Sequence, residues 1–86
     1  MGKINYELLV SELIKPLTTH PEEVTVSTVS ETGNNVKVKV SVHPDDLGRV
    51  IGKKGRVANA IRTIGHAAAM RHNEYLEIEL ETVEEE

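Results

Sequence analysis

A chain of 86 residues with 10 Lys+Arg, 14 Asp+Glu and a formal net charge of −4 reads as one small domain, and its 38% hydrophobic share is too high for a disordered segment. The absence of cysteine excludes disulfides, thiolate nucleophiles and Cys-ligated zinc. Phe and Trp are absent too, which argues against an aromatic platform for stacking bases, and the longest apolar run, Ala67–Met70, is far short of the ~20 residues of a membrane span.

Met1-Gly2-Lys3-Ile4-Asn5 carries no signal-peptide pattern, and Tyr6 stands where a myristoylation motif on Gly2 wants Ser or Thr. The expectation is a soluble cytoplasmic protein. Tyr6, Leu9, Val10, Leu13 and Leu17 recur at helical spacing after Asn5 as N-cap, and Pro16 should end or bend this first helix. Thr18–Glu23, with His20-Pro21, reads as a loop. Val24, Val26 and Thr28 then alternate with polar residues, Glu31–Asn35 forms a turn, and Val36, Val38, Val40 and Val42 alternate against Lys37, Lys39 and Ser41. Both strands read as a hairpin with its valine face inward.

His43-Pro44-Asp45-Asp46 opens a short helix, with proline and carboxylates where an N-terminus favours them, and N-capping accounts for the two aspartates. That helix runs to about Ile51. The next begins near Arg56 and reaches about Arg71, with Val57, Ile61, Ile64 and Ala68 as its core face. Ala58, Gly65 and Ala69 then leave a flat strip beside that face, which favours self-association. Asn73-Glu74 is a turn, and Tyr75–Glu81 alternates Leu76, Ile78 and Leu80 with glutamates as a third strand. The expected fold is α+β in the order α-β-β-α-α-β: a three-stranded mixed sheet, the last strand returning parallel to the second, packed in two layers against three helices. Residues 1–83 make the domain, and Glu84–Glu86 a frayed acidic tail.

Net charge conceals the most informative feature. Between Arg49 and His72 lie Arg49, Lys53, Lys54, Arg56, Arg62 and Arg71 with no acidic residue, so the segment is +6 and the remainder −10. Screening confines electrostatic attraction to about 8–10 Å, so a local field of this kind suits a polyanion even on an acidic protein. Gly52-Lys53-Lys54-Gly55 sits inside this segment. A GxxG arises by chance about 0.4 times in a chain of this length, and a plain helix–helix turn would explain both glycines. It would not explain two lysines within the turn, or Arg49 and Arg56 flanking it. Glycines let a phosphate backbone approach the main chain, and the following helix offers free N–H groups and its positive dipole end.

Val50-Ile51-Gly52-Lys53-Lys54-Gly55-Arg56 between two helices, in this element order, resembles the KH domain in its bacterial (type II) topology. Gly48 to Arg56, followed by Ala60-Ile61-Arg62-Thr63, resembles the small stand-alone KH proteins of bacteria, the KhpA-like family, over nearly the whole chain. Lys15-Pro16-Leu17, His20-Pro21 and Ser41-Val42-His43 fall in that family's pattern as well. One departure is Ala58, where the wider KH pattern often has a larger aliphatic residue. The resemblance implies single-stranded RNA binding, about four nucleotides per groove, in RNA chaperoning or post-transcriptional regulation. It makes Gly52, Lys53, Lys54 and Gly55 a phosphate clamp. Val50, Ile51 and Val57 would line the groove or its rim, although each reads equally as core, and Arg49, Arg56 and Arg62 would add phosphate contacts. No cofactor is implied. The alternative is an interaction module acting through a homodimer or a Jag-type KH partner.

Catalysis finds little support. The glycine spacing is one residue short of a P-loop, Lys54 stands where Ser or Thr should hold magnesium, and no strand leads into the turn. His66 and His72 are about 240° apart on a helix and cannot share a metal, and His20 and His43 read as isolated loop residues, so no metal site is expected.

Overall fold

The computed structural model describes residues 4–83, so Gly2 and the expected acidic tail Glu84–Glu86 lie outside the described residues. The elements are α1 (Tyr6–Ile14), β1 (Thr25–Thr32), β2 (Asn35–Val42), α2 (Pro44–Ile51), α3 (Arg56–Met70) and β3 (Tyr75–Thr82), with short 3₁₀ turns at Lys15–Leu17, Pro21–Glu23 and Lys53–Gly55. The sheet order is β1-β2-β3, with β1 antiparallel and β3 parallel to β2. All three helices cover one face, as the element order requires.

The central strand supplies the core. Val36, Val38, Val40 and Val42 are buried on the helix side, beside Leu76 and Ile78 of β3. On the opposite face Lys37 reaches Glu79 at 3.2 Å and Glu77 at 3.8 Å, and Lys39 reaches Glu81 at 3.7 Å. β1 contributes less than expected. Only Val24, just before it, and half-buried Val26 join the core, because a bulge between Thr28 and Ser30 shifts the register and leaves Val29 exposed. The expected five-residue turn is also shorter: Thr32 pairs with Asn35 around Gly33-Asn34.

Asn5 caps α1 by accepting from the Leu8 amide at 3.0 Å. The buried stripe of α1 is Tyr6, Val10 and Ile14, with Leu9 and Leu13 only partly covered. Leu17, expected on that stripe, is exposed, since the chain tightens to a 3₁₀ turn around Pro16 and loses the helical phase. The Tyr6 hydroxyl donates to the Glu74 carboxylate across the fold. Burial, that hydrogen bond and the Glu74 charge push the phenol up to about 12.

α2 opens differently from the expectation. His43, not an aspartate, is the cap: its Nδ1 accepts from the Asp45 amide at 3.0 Å. Asp46 turns inward and is wholly buried, accepting from the Thr19 amide and hydroxyl, both at 2.8 Å, and from the His20 amide at 2.9 Å. It therefore ties the loop after α1 to α2. Burial raises the pKa of this carboxyl, but the Thr19 and His20 bonds outweigh it and leave the net value lowered.

The core face of α3 is Ala58, Ile61, Gly65 and Ala69, whereas Ile64, expected inside, is 46% exposed. A Cβ built on Gly65 would lie 3.0 Å from both Leu76 Cδ2 and Ile78 Cδ1, so the small residues are what bring the helix down onto β3. The strip expected to face a second molecule is spent on the chain's own sheet.

Between α2 and α3 the backbone passes through three left-handed residues, Gly52 (φ 77°), Lys54 (φ 57°) and Gly55 (φ 75°). At Gly52 a Cβ would stand 2.4 Å from Val57 Cγ2 and 2.8 Å from the Val57 amide nitrogen, whereas at Gly55 nothing comes closer than Asn59 Nδ2 at 4.0 Å. Gly52→Ala should therefore lower the unfolding free energy by about 2–4 kcal/mol, strain plus overpacking, and Gly55→Ala by about 1–2 kcal/mol from strain alone. Urea unfolding of the two variants checks the order, and equal losses would refute the close packing of Val57 under Gly52.

Stability should also fall at both ends of the pH range. The raised Tyr6 contributes stability that is complete below its unfolded value of 10 and lost as pH climbs toward about 12. The lowered Asp46 contributes stability present above its unfolded value of 3.8 and lost as pH drops through its folded value. Urea midpoints measured across pH should show both limbs, with Tyr6→Phe flattening the alkaline one and Asp46→Asn the acid one.

Candidate nucleic-acid interface

Lys53, Lys54 and Arg56 are exposed around the turn, while Gly52 and Gly55 are half-covered. α3 begins immediately after Gly55, which provides no side-chain cap, and its first turn carries no acidic residue. The first amides of a helix lack intrahelical partners, and the dipole places partial positive charge there. Three cations stand beside that end, where a carboxylate would normally be favourable. At Gly55 the surface is open, with nothing nearer a built Cβ than Asn59 Nδ2 at 4.0 Å.

A groove of about 480 Å³ runs from this turn along the free edge of β3. Ile51, Gly55, Ala58 and Arg62 form the helix wall; Glu77, Ile78, Glu79 and Leu80 form the strand wall. Ile51 is 37% exposed at its mouth. Arg62 crosses the groove, its Nη2 donating to the Ile78 carbonyl at 3.5 Å. The sharp turn at Gly52 and the close seat of α3 on β3 together fix this geometry.

Not all the expected site residues converge here. Val50 is wholly buried and offers no surface; it faces inward on α2 and is core. Val57 does not line the groove but packs under Gly52, supporting the turn from below. Arg49 lies outside the groove and reaches back toward Asp46, Nε to Oδ1 3.8 Å. Gly52, Lys53, Lys54, Gly55 and Arg56 cluster at one end, with Ile51 and Arg62 lining the adjoining groove. Sequence reasoning missed the strand wall, although the alternation of Glu77 and Glu79 with Ile78 and Leu80 on a terminal edge strand was its available signal.

Two other features separate from this site. A second cleft of about 260 Å³ is lined by Glu7, Glu31 and Glu74 among others, the wrong sign for a polyanion. His20 and His43, expected to be isolated, stack with centroids 3.9 Å apart, and their ring nitrogens and the Asp45 carboxylate lie within 4.8 Å of one another. Face-to-face rings aim their in-plane lone pairs along near-parallel planes, not at one point, so this pair serves the α2 cap and its loop. His66 instead stacks on Tyr75 at 5.5 Å. Among the described residues, no helix is long and apolar enough to cross a membrane.

Comparison with known proteins agrees with the fold class. The family described as KhpA/KhpB, KH domain, matches residues 7–80. A protein of Listeria monocytogenes named RNA-binding protein KhpA is 42% identical over 74 residues, covering 86% of this chain and 96% of its own. The Bacillus subtilis protein of the same name is 38% identical over 74 residues, covering 86% and 90%. Among solved structures, Era of Aquifex aeolicus bound to GDP and AlF4− superposes with a TM-score of 0.64 at 21% identity. The match covers 95% of this chain and only 33% of that one, and it concerns the fold alone. Strand order, helix placement and sequence thus agree, and the chain belongs to the KhpA/KhpB family of KH-domain proteins.

Proposed function

We propose that the chain binds single-stranded RNA without acting on it chemically, in RNA chaperoning or post-transcriptional regulation. The observation that carries this reading is the uncapped, acid-free start of α3, surrounded by Lys53, Lys54 and Arg56, at the head of an open groove. The turn takes the backbone phosphates, its glycines keeping the path clear and its lysines neutralising charge. Bases lie on the aliphatic surface of Ile51, Ala58, Ile78 and Leu80, which needs no aromatic side chain. A groove this narrow, beside a GxxG turn, takes about four nucleotides in single-stranded form. The name RNA-binding protein borne by the relatives supports the reading, as does the Era structure solved in complex with a segment of 16S ribosomal RNA (TM-score 0.58, 20% identity). Pairing with a second KH chain loses its sequence argument, because Ala58, Gly65 and Ala69 are buried.

Replacing Lys53 and Lys54 together by Asp should abolish measurable binding to single-stranded RNA. Both side chains are exposed, so stability should change by no more than about 1 kcal/mol. If the native turn neutralises two to three phosphates, log affinity should fall against log salt with a slope of about −1.4 to −2.1. Fluorescence anisotropy on a labelled oligonucleotide, with circular dichroism as the folding control, reads both. A folded double variant with unchanged affinity would reduce the turn to a helix–helix connection.

A further inference from the structure

Arg62 is a half-buried cation without a counterion. It stands on α3 about two helical turns, roughly 10 Å, beyond Gly55, and its side chain lines the aliphatic groove. Among the described residues its one hydrogen bond runs from Nη2 to the Ile78 carbonyl at 3.5 Å, and no carboxylate lies within ion-pair distance. The glutamates of that strand, Glu77 and Glu79, are taken by Lys37 on the opposite face of the sheet.

The backbone explains this contact. At the two ends of the β2–β3 ladder the Tyr75 and Val83 amides donate to the Asn34 and Val42 carbonyls, both at 2.8 Å. Odd-numbered residues of β3 therefore turn their peptide groups toward β2, and even-numbered ones turn theirs outward. The Ile78 carbonyl thus lies on the free edge, where Arg62 covers it. A guanidinium donates and never accepts. What the groove shows beside Ile78 is accordingly a fork of N–H donors next to the aliphatic surface. Phosphates have their place at the turn, so the group that meets this fork is the edge of a base. Guanine fits it, with O6 and N7 side by side as acceptors, whereas adenine sets an amino donor beside N7. We infer that Arg62 is a base-reading residue that selects guanine over adenine, and not one more phosphate contact. This role rests on the groove being the RNA site and adds to it which base is held there.

Hexaadenylate and the RNA hexamer AGAGAG match in length, charge and purine size, so the ratio of their affinities isolates the base edge. Both, labelled with fluorescein, would be titrated at low salt with the full chain and with Arg62→Lys, with circular dichroism as the folding control. The native chain should bind AGAGAG at least about fivefold tighter, the low end for a two-pronged arginine–guanine pair. Lysine keeps the charge and loses the planar fork, so in the variant the ratio should shrink to within about twofold. A third hexamer, with inosine in place of guanosine, keeps O6 and N7 but lacks the 2-amino group. On the native chain it should bind as AGAGAG does, a test that needs no variant. Equal binding of hexaadenylate and AGAGAG by the native chain would overturn the inference while leaving the clamp intact. So would a ratio that survives in Arg62→Lys, or an inosine hexamer that binds like hexaadenylate. Failure of the native chain to bind any of the three would overturn the groove reading itself, and this role with it.

Discussion

The contact between Gly52 and Val57 sets the form of this domain. Two helices meet within a four-residue turn, and Val57 in the first turn of the second lies directly beneath Gly52, which ends the first. No side chain fits at Gly52, where even a methyl group would penetrate Val57. Because that space is filled from below, the turn cannot sink into the domain, and Lys53 and Lys54 are held outward. Within the same turn Lys54 is left-handed, at φ 57°. A non-glycine residue in that region is strained, and strain that survives in a compact domain often marks a working site. Here it presents a lysine beside the start of α3, whose first amide, that of Arg56, donates back to the Lys53 carbonyl.

Stability and function make opposing demands on that helix start. A carboxylate cap in place of Gly55, or an acid in the first turn, would be the stabilising choice. The chain instead has glycine, no acid and a surrounding cluster of cations. It compensates elsewhere, with His43 capping α2, Asn5 capping α1, and Asp46 joining the first loop to α2 through three hydrogen bonds. Those devices lie away from the groove. Among the α-helices of the described residues, α3 alone starts without a side-chain cap.

How much of this was legible in the sequence follows from which signals are local. Alternation of Val36, Val38, Val40 and Val42 identifies the central strand, and a long helical crossover before Tyr75 implies the parallel return of β3; both hold in the structure. The break between α2 and α3 was also legible, because Gly52 and Gly55 mark the positive-φ turn that the backbone makes there. The rotation of α3 was not. Hydrophobicity ranks Ile64 and Val57 above Ala58, Gly65 and Ala69, yet at Gly65 the helix sits so close to Leu76 and Ile78 that even a Cβ would be tight. The wrong phase then misplaced the dimer argument. Asp46 looked like a capping residue because nothing local reveals that Thr19, 27 positions earlier, supplies its partners. The bulge in β1 and the stacking of His20 on His43 are likewise products of distant pairing.

The small residues of α3 connect the core to the groove. Ala58 is 4% exposed and belongs to the packed face of the helix, yet its methyl group also forms part of the groove wall. Its departure from the larger aliphatic expected there has a physical consequence. A longer side chain would either push α3 away from β3 or fill the groove, and Arg62 could not then reach the Ile78 carbonyl. The close approach set by Gly65 and Ala69 further along the helix keeps the two walls near each other. Packing at one end of α3 therefore governs the width of the opening at the other. The domain reads as a sheet with one helix laid close by small residues, whose start is left uncapped and whose flank is left open.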